Sequence, residues 1–388
     1  MLLYLLMIVV SCAALYIAER MCAQRTDGQR GGINEDVYAL GGLPGGEKEH
    51  GHGNALRFAM YSVALLFPLI VAVIRHEVGP DWVHYVNLLY LFHSGQGSTM
   101  EFGFVAAVYL LGLVSQNLQL VIAFTSLVTM LLVFFTVKRH SAYPALSYFI
   151  FFSLGFYFHA FVLIRQYLAV VICFWAWRFV KKNNNLAFVG FVLLAMSMHR
   201  SAFIMLIFFL FLGAKYKFSH YAMILAAGVA IALVHERFLD LMLAIPAFAP
   251  YAEWYIHLVG AAAADHVSWF NLLLSLAVTV GCFAYYREMT SKPGNVMLVN
   301  AAVFSFILYA TASYWMGWKL TRIALYLNIF HVLTIPEIIA CERNPNVRKL
   351  YAACVVLAFT VTFFMLLRAN TGAIHYWLPY RTVFGNLF

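Results

Sequence analysis

The chain is a succession of apolar blocks separated by short polar stretches. A helix that spans a bilayer needs about 17–25 mainly apolar residues. Blocks of that length or a little shorter fall near 1–18, 56–74, 118–137, 142–160, 164–180, 186–198, 200–213, 220–234, 267–286, 295–312, 321–340 and 350–367. A further short block runs 102–115. Only 11% of the 388 residues are charged and 64% are hydrophobic, against about 25% charged in an ordinary soluble domain. So few charges cannot coat a soluble globule of this size. That excludes a cytosolic enzyme, a disordered chain and a nucleic-acid binder. The net charge of +9 is scattered between apolar blocks rather than gathered on one face. The six cysteines show neither CxxC nor zinc-site spacing and read as small core residues. Arg20, Arg25 and Arg30 follow the first block and no basic residue precedes it, the reverse of a signal peptide.

Orientation follows from Lys and Arg. Placing 19–55, 138–141, 181–185, 214–219, 287–294 and 341–349 in the cytoplasm puts 17 of the 25 basic residues there, counting flanks. The other eight are Arg75, Arg165, Arg200, Arg237, Lys319, Arg322, Arg368 and Arg381. Two consequences follow. If 102–115 crossed the membrane, Lys138 and Arg139 would lie outside, so it is expected to be a short outer-face or re-entrant helix. Likewise 186–213 cannot be one span, because the lysines at its two ends belong to one side. It is expected to be a hairpin of two short arms turning near His199. Each arm is about 20 Å long at about 1.5 Å per residue, against a hydrocarbon core of about 30 Å, so the tip needs a cavity open to the outside. The expected fold is all-α: one polytopic transmembrane domain over 1–388, with about 12 spans and both termini outside. Its appendages are a flexible Gly-rich cytoplasmic loop (19–55), an outer-face segment with a short helix (75–117) and an outer-face amphipathic loop (235–266).

The outer basic residues are nearly all arginine. A guanidinium offers a planar fork that pairs bidentately with phosphate and keeps its charge. Arg165, Arg200 and Arg322 lie at or within the ends of apolar blocks, where charge is costly and normally faces a cavity or a partner. Together they read as an anion site at membrane depth; interfacial snorkelling and ion pairing with Asp81, Glu101 or Glu236 is the plainer account. His199, followed by Arg200 and Ser201 at the expected hairpin tip, is the candidate general base, since neutral imidazole can take a hydroxyl proton near pH 7. His50 and His52 read as solvated loop residues rather than metal ligands. His159, His235, His257 and His375 lack the setting of His199. No Gly-rich phosphate loop, HExxH, GxSxG or DxD-like site is present, which argues against metal- or nucleotide-driven chemistry.

Several short motifs together resemble the EpsG-like family of bacterial polysaccharide polymerases, related in role to Wzy-type O-antigen polymerases. They are R-x-x-x-G-x-D with Tyr85 (Arg75, Gly79, Asp81), E-x-G-aromatic (Glu101, Gly103, Phe104) and the RQ pair (Arg165, Gln166). H-x-S-A (His199, Ser201, Ala202), a late Arg322 and a closing L-P-Y (Leu378, Pro379, Tyr380) complete the set. Phe102 stands where Pro is usual, and the Gly-rich loop 19–55 is long for the family. The resemblance implies a GT-C-like membrane glycosyltransferase without metal or other cofactor, in the bacterial inner membrane with its site facing the periplasm. Its substrates would be undecaprenyl-diphosphate-linked oligosaccharides and its partners the bilayer and a chain-length regulator, not nucleic acid. On this reading His199 activates the acceptor hydroxyl and Arg165, Arg200 and Arg322 hold the diphosphate. Arg75, Asp81, Tyr85, Glu101, Gln166, Tyr380 and Arg381 shape or support the sugar site.

An O-antigen ligase shares this chemistry and differs only in its acceptor. A flippase would also use outer-facing arginines, but should show internal pseudo-symmetry, and no repeat is visible. A membrane O-acyltransferase would need its histidine on the other side or in a tunnel.

Overall fold

The structure is a computed structural model, and it describes residues 1–29, 51–79, 82–95, 100–245, 269–315, 317–370 and 377–385. The central part of loop 19–55, most of loop 235–266 and Asp81, His257 and His375 lie outside the described residues. Among the described residues all regular structure is helical, with no strand.

Helix α1 (Leu2–Gln29) packs along α2 (Gly51–Ile74). The first apolar block thus continues as helix eleven residues past its expected end at 18. Two short helices follow on what the charge pattern makes the outer face: α3 (Trp82–His93) and α4 (Phe102–Gly112). Helix α5 (Leu118–His140), capped by Asn117 on the amide of Gln119 at 2.8 Å, returns through the body. Next come α6 (Pro144–Ser153) and α7 (Phe156–Val162), bent by 46° at Leu154-Gly155. Then α8 (Ile164–Lys181) leads into α9 (Asn185–Met198), a 3-10 turn (Arg200–Phe203) and α10 (Ile204–Leu212). The rest is α11 (Phe218–Ala244), α12 (Trp269–Ala284), α13 (Tyr286–Ser291), α14 (Asn295–Trp315), α15 (Gly317–Asn328), α16 (His331–Cys341) and α17 (Pro345–Ala369).

The core is built around α6, which meets α1, α5, α16 and α17, and around α8, which meets α5, α9 and α15. Trp177, Tyr148, Tyr157 and Tyr167 are fully buried there. Outward faces are apolar instead of charged: Leu357 and Met365 on α17 are 69% and 67% exposed. Only lipid makes such a surface stable.

Five helical stretches are long and apolar enough to cross a membrane: Leu2–Cys22, Asn54–Ile74, Leu118–His140, Arg322–Cys341 and Pro345–Ala369. The bent pair α6–α7 gives a sixth. Twelve spans are therefore not matched one for one. Several expected spans fold as shorter apolar helices, among them α9, α12 and Asn295–Thr311 of α14. The block 321–340 is likewise divided, at Ile329-Phe330, between α15 and α16.

The expected hairpin is present. The Phe188 and Phe209 rings stack at 4.7 Å between centroids. Residues 21 positions apart on one straight helix would be about 30 Å apart, so the chain reverses at His199. The expected short helix at 102–115 is α4. Lys138 lies 3.7 Å from the Tyr61 ring centroid, and Lys292 pairs with Glu337.

Candidate functional site

The site gathers where α4, α8, α15 and the hairpin tip converge. Glu101 is the residue before α4 and has an extended backbone. Its Oε2 accepts from Arg165 Nη1 at 2.6 Å, with both side chains largely buried (18% and 15% exposed). Its Oε1 accepts from the backbone N–H of Arg200 at 3.1 Å. One carboxylate thus ties α4 to α8 and to the hairpin tip.

Gly103 makes that seat possible. A Cβ there would lie 2.2 Å from Ser197 Oγ and 2.8 Å from the Ser197 carbonyl oxygen, so α4 crosses the end of α9 at a contact only glycine allows. Beneath α3 and α4 a small apolar cluster, including Trp82, Tyr85, Phe104, Ile122 and Ile164, supports this outer layer. The Tyr85 hydroxyl accepts from the backbone N–H of Arg165 at 3.3 Å. Beside it, Gln166 donates to the carbonyl of Arg322 at 3.1 Å and joins α8 to α15.

His199 caps the 3-10 turn: its Nδ1 accepts from the backbone N–H of Ser201 at 3.3 Å. Ser201 Oγ lies 2.7 Å from the same nitrogen and 2.9 Å from the hydroxyl of Tyr326 on α15. Neither Glu101 nor His199 belongs to a membrane-spanning segment. Burial pushes the Glu101 carboxyl up. Hydrogen bonds from the Arg200 and Glu101 amides and the charges of Arg165 and His199 outweigh it, and the net shift is downward. Burial lowers His199; Glu101 opposes this, and the charges of Arg165, Arg322 and Arg200 lower it further.

The guanidinium of Arg165 and the amide of Gln166 keep unfilled capacity. Arg165 Nε and Gln166 Oε1 are buried and have no hydrogen-bond partner. Arg200 and Arg322 are exposed, and their charges reach His199. An orphaned buried donor beside two exposed guanidiniums is an arrangement that an anion with attached hydroxyls completes.

Of the residues expected at the site, Tyr85, Glu101, Arg165, Gln166, His199, Arg200 and Arg322 come together. Arg75, Tyr380 and Arg381 gather instead around segment 377–385 and the end of α2. Arg75 is 1% exposed. Its Nη1 donates to the carbonyl of Ala72 at 2.6 Å and to Ser126 Oγ at 2.9 Å, and its guanidinium lies 4.3 Å from the Phe161 ring centroid. Arg75 bridges to Thr382, Tyr380 donates to the carbonyl of Val71, and Arg381 pairs with Glu77 at 2.8 Å. These three residues fasten segment 377–385 to the end of α2. The Nε and Nη2 of Arg75 are buried and lack hydrogen-bond partners, and at 1% exposure the guanidinium is closed to solvent. Gly79 in the same motif answers a steric need: its φ is +108° and a Cβ would meet the Phe161 carbonyl oxygen at 2.5 Å.

Tyr326 is the functional neighbour that sequence reasoning missed. Its signal is the spacing from Arg322, since residues four apart share a helix face.

These features define a multi-pass α-helical membrane protein with a cationic site at the ends of its helices. The chain belongs to the EpsG family, whose model matches residues 58–382. With membership comes polysaccharide polymerisation of the glycosyltransferase type as the general activity. Comparison with curated proteins and with solved structures gave no match.

Proposed function

We propose that this protein lengthens a bacterial surface polysaccharide at the outer face of the inner membrane. It transfers the growing glycan from undecaprenyl diphosphate to a sugar hydroxyl of a new lipid-linked repeat unit. One observation carries this reading: Arg165, the His199-Arg200 pair and Arg322, from three distant parts of the sequence, converge around buried polar atoms that lack partners. A diphosphate leaving group develops charge as its bond to the sugar breaks. Preorganised guanidiniums stabilise that charge without reorganising, the task a metal performs in other transferases.

Arg165, Arg200 and Arg322 hold the diphosphate in this scheme. His199 is the catalytic residue at the reacting centre, and Tyr85, Glu101 and Gln166 border the sugar. Twelve crossings with both termini outside, a GT-C-like arrangement and a chain-length regulator as partner belong to the same proposal. The short hairpin arms support it, because a lipid-linked substrate needs a polar site reached sideways from the bilayer.

The test is reconstitution. Purified protein in nanodiscs, given lipid-diphosphate-linked repeat units alone, is expected to yield a ladder of lengthening products. Failure to extend them, with transfer appearing only when a different acceptor is supplied, would identify a ligase. Movement of units across the bilayer without new bonds would identify a flippase.

A further inference from the structure

The hydrogen bonds around His199 fix where its proton sits. A backbone N–H can only donate, and that of Ser201 is aimed at Nδ1. Protonating Nδ1 would set two N–H groups against each other. Nδ1 therefore accepts, from the Ser201 amide and from the Ser201 hydroxyl, and the Tyr326 hydroxyl donates to Ser201 in turn. A neutral imidazole with Nδ1 accepting carries its proton on Nε2. Among the described residues Nε2 makes no hydrogen bond within the protein, so it meets the substrate as a donor. An imidazole in that state cannot take the acceptor's proton at the nitrogen it presents.

Glu101 is the carboxylate that the described residues place at this site. Each of its oxygens accepts one hydrogen bond, from Arg165 and from the Arg200 amide, and an ionised carboxyl has about four acceptor positions. It stays ionised, which leaves about two acceptor positions open to a hydroxyl proton. Glycosyl transfer passes through an oxocarbenium-like transition state, in which the attacking hydroxyl sheds its proton only as the new bond forms.

We infer that Glu101 accepts the proton of the attacking hydroxyl and that His199 donates a hydrogen bond through Nε2 to the departing diphosphate. The inference rests on the polymerase reading above and reassigns the proton within it. The acceptor oxygen bonds to the anomeric carbon while the bond from that carbon to the diphosphate oxygen breaks. The bonding pair leaves with the diphosphate, and the hydroxyl proton passes to Glu101. Arg165, Arg200, Arg322 and the Nε2–H group receive the leaving charge. Tyr326 and Ser201 are positioning residues, holding the ring with Nε2 forward. The ionisable groups facing Glu101 and His199 are Arg165 on α8, Arg200 at the start of the 3-10 turn, Arg322 and Tyr326 on α15, and Tyr85 on α3.

His199→Gln separates the two roles, because its amide N–H sits near the Nε2 position but cannot take a proton. In the reconstituted assay His199→Gln is expected to keep a rate within about tenfold of the unmodified protein. His199→Ala should lose about 100-fold, the scale of one donor to a developing anion, and Glu101→Gln about 100-fold, the scale of one proton-transfer group. The acid limb of the pH–rate profile should persist in His199→Gln, since it belongs to a carboxylate. Either a folded His199→Gln as inactive as His199→Ala, or loss of the acid limb in His199→Gln, would overturn the inference and return the proton to His199. If Glu101→Gln does not fold, the His199→Gln rate and profile decide the matter alone. Unmodified protein that extends no lipid-linked unit would instead refute the polymerase reading.

Discussion

Replacing Gly103 by alanine tests whether the α4–α9 crossing sets the site. The added Cβ would lie 2.2 Å from Ser197 Oγ, 2.7 Å from Ser197 Cβ and 2.8 Å from the Ser197 carbonyl oxygen. Ser197 Oγ is already bonded to the carbonyl of Leu194 at 2.7 Å, and the carbonyl belongs to a helix. Neither can withdraw far. Carbon and oxygen need about 3.5 Å, so α4 must move away by about 1 Å. Overpacking of this kind costs about 1–3 kcal/mol. The larger effect falls on Glu101, two residues earlier, whose bonds to Arg165 at 2.6 Å and to the Arg200 amide at 3.1 Å tolerate no such shift. A displacement of about 1 Å at a reacting group costs about 100-fold in rate. The assay is polymer length in cells, with the amount of protein in the membrane measured beside it. Gly103→Ala is expected to reach the membrane and make short chains. Adding Ser197→Gly removes two of the three clashes and should restore part of the length. Long chains from Gly103→Ala alone would refute the claim that this crossing positions Glu101.

Arg165→Lys keeps the charge but loses the fork, and should retain less than a tenth of the polymerisation rate in the reconstituted assay; a full rate would mean that charge alone suffices. Stability should fall in acid. The folded value of the Glu101 carboxyl is depressed, so its contribution is complete above the ordinary 4.5 and disappears as pH falls through the folded value. The unfolding midpoint in detergent should therefore drop more steeply below about pH 4.5 in the unmodified protein than in Glu101→Gln. Asn300, fully buried, donates to the carbonyls of Leu212 at 2.7 Å and Ala214 at 2.8 Å at the end of α10. Asn300→Ala leaves them unpaired and should cost about 1–3 kcal/mol, read as a lower unfolding midpoint. Arg381→Ala removes an ion pair whose partners are 33% and 41% exposed; it should change stability by less than about 1 kcal/mol and leave polymer length alone.

Charge placement made the hairpin legible before any coordinates: lysines on one side of the membrane at both ends of 186–213 leave no other path. The short helix at 102–115 followed from the same count. Span number was less legible, because hydropathy marks apolar stretches and not the breaks that packing imposes, such as the bend between α6 and α7. The convergence of Arg165, His199 and Arg200 was readable from their cost inside apolar blocks. Glu101 was one of three carboxylates readable as an ion-pair partner, but which arginine it would meet was not. The pairing of Arg165 with Glu101 spans 64 positions and depends on how closely α4 approaches α9. Arg75 misled for a related reason: an arginine at a block end looks the same in sequence whether it faces a cavity or is folded under the tail of its own chain.

That tail has a consequence for how the protein is made. Tyr4, in the first turn of α1, donates to the carbonyl of Trp377 at 3.1 Å, and the segment that starts there seals Arg75. The residues that complete the seal follow Arg75 by about 300 positions, so the guanidinium is made long before its cover. Until that segment is made, the insertion machinery holds a helix end whose arginine lacks this cover, an expensive state in lipid. Translation and docking of residues 377–385 is therefore a maturation step. Chains cut short before Trp377 should be recognised as unfinished by membrane quality control and degraded, even though every site residue is already present.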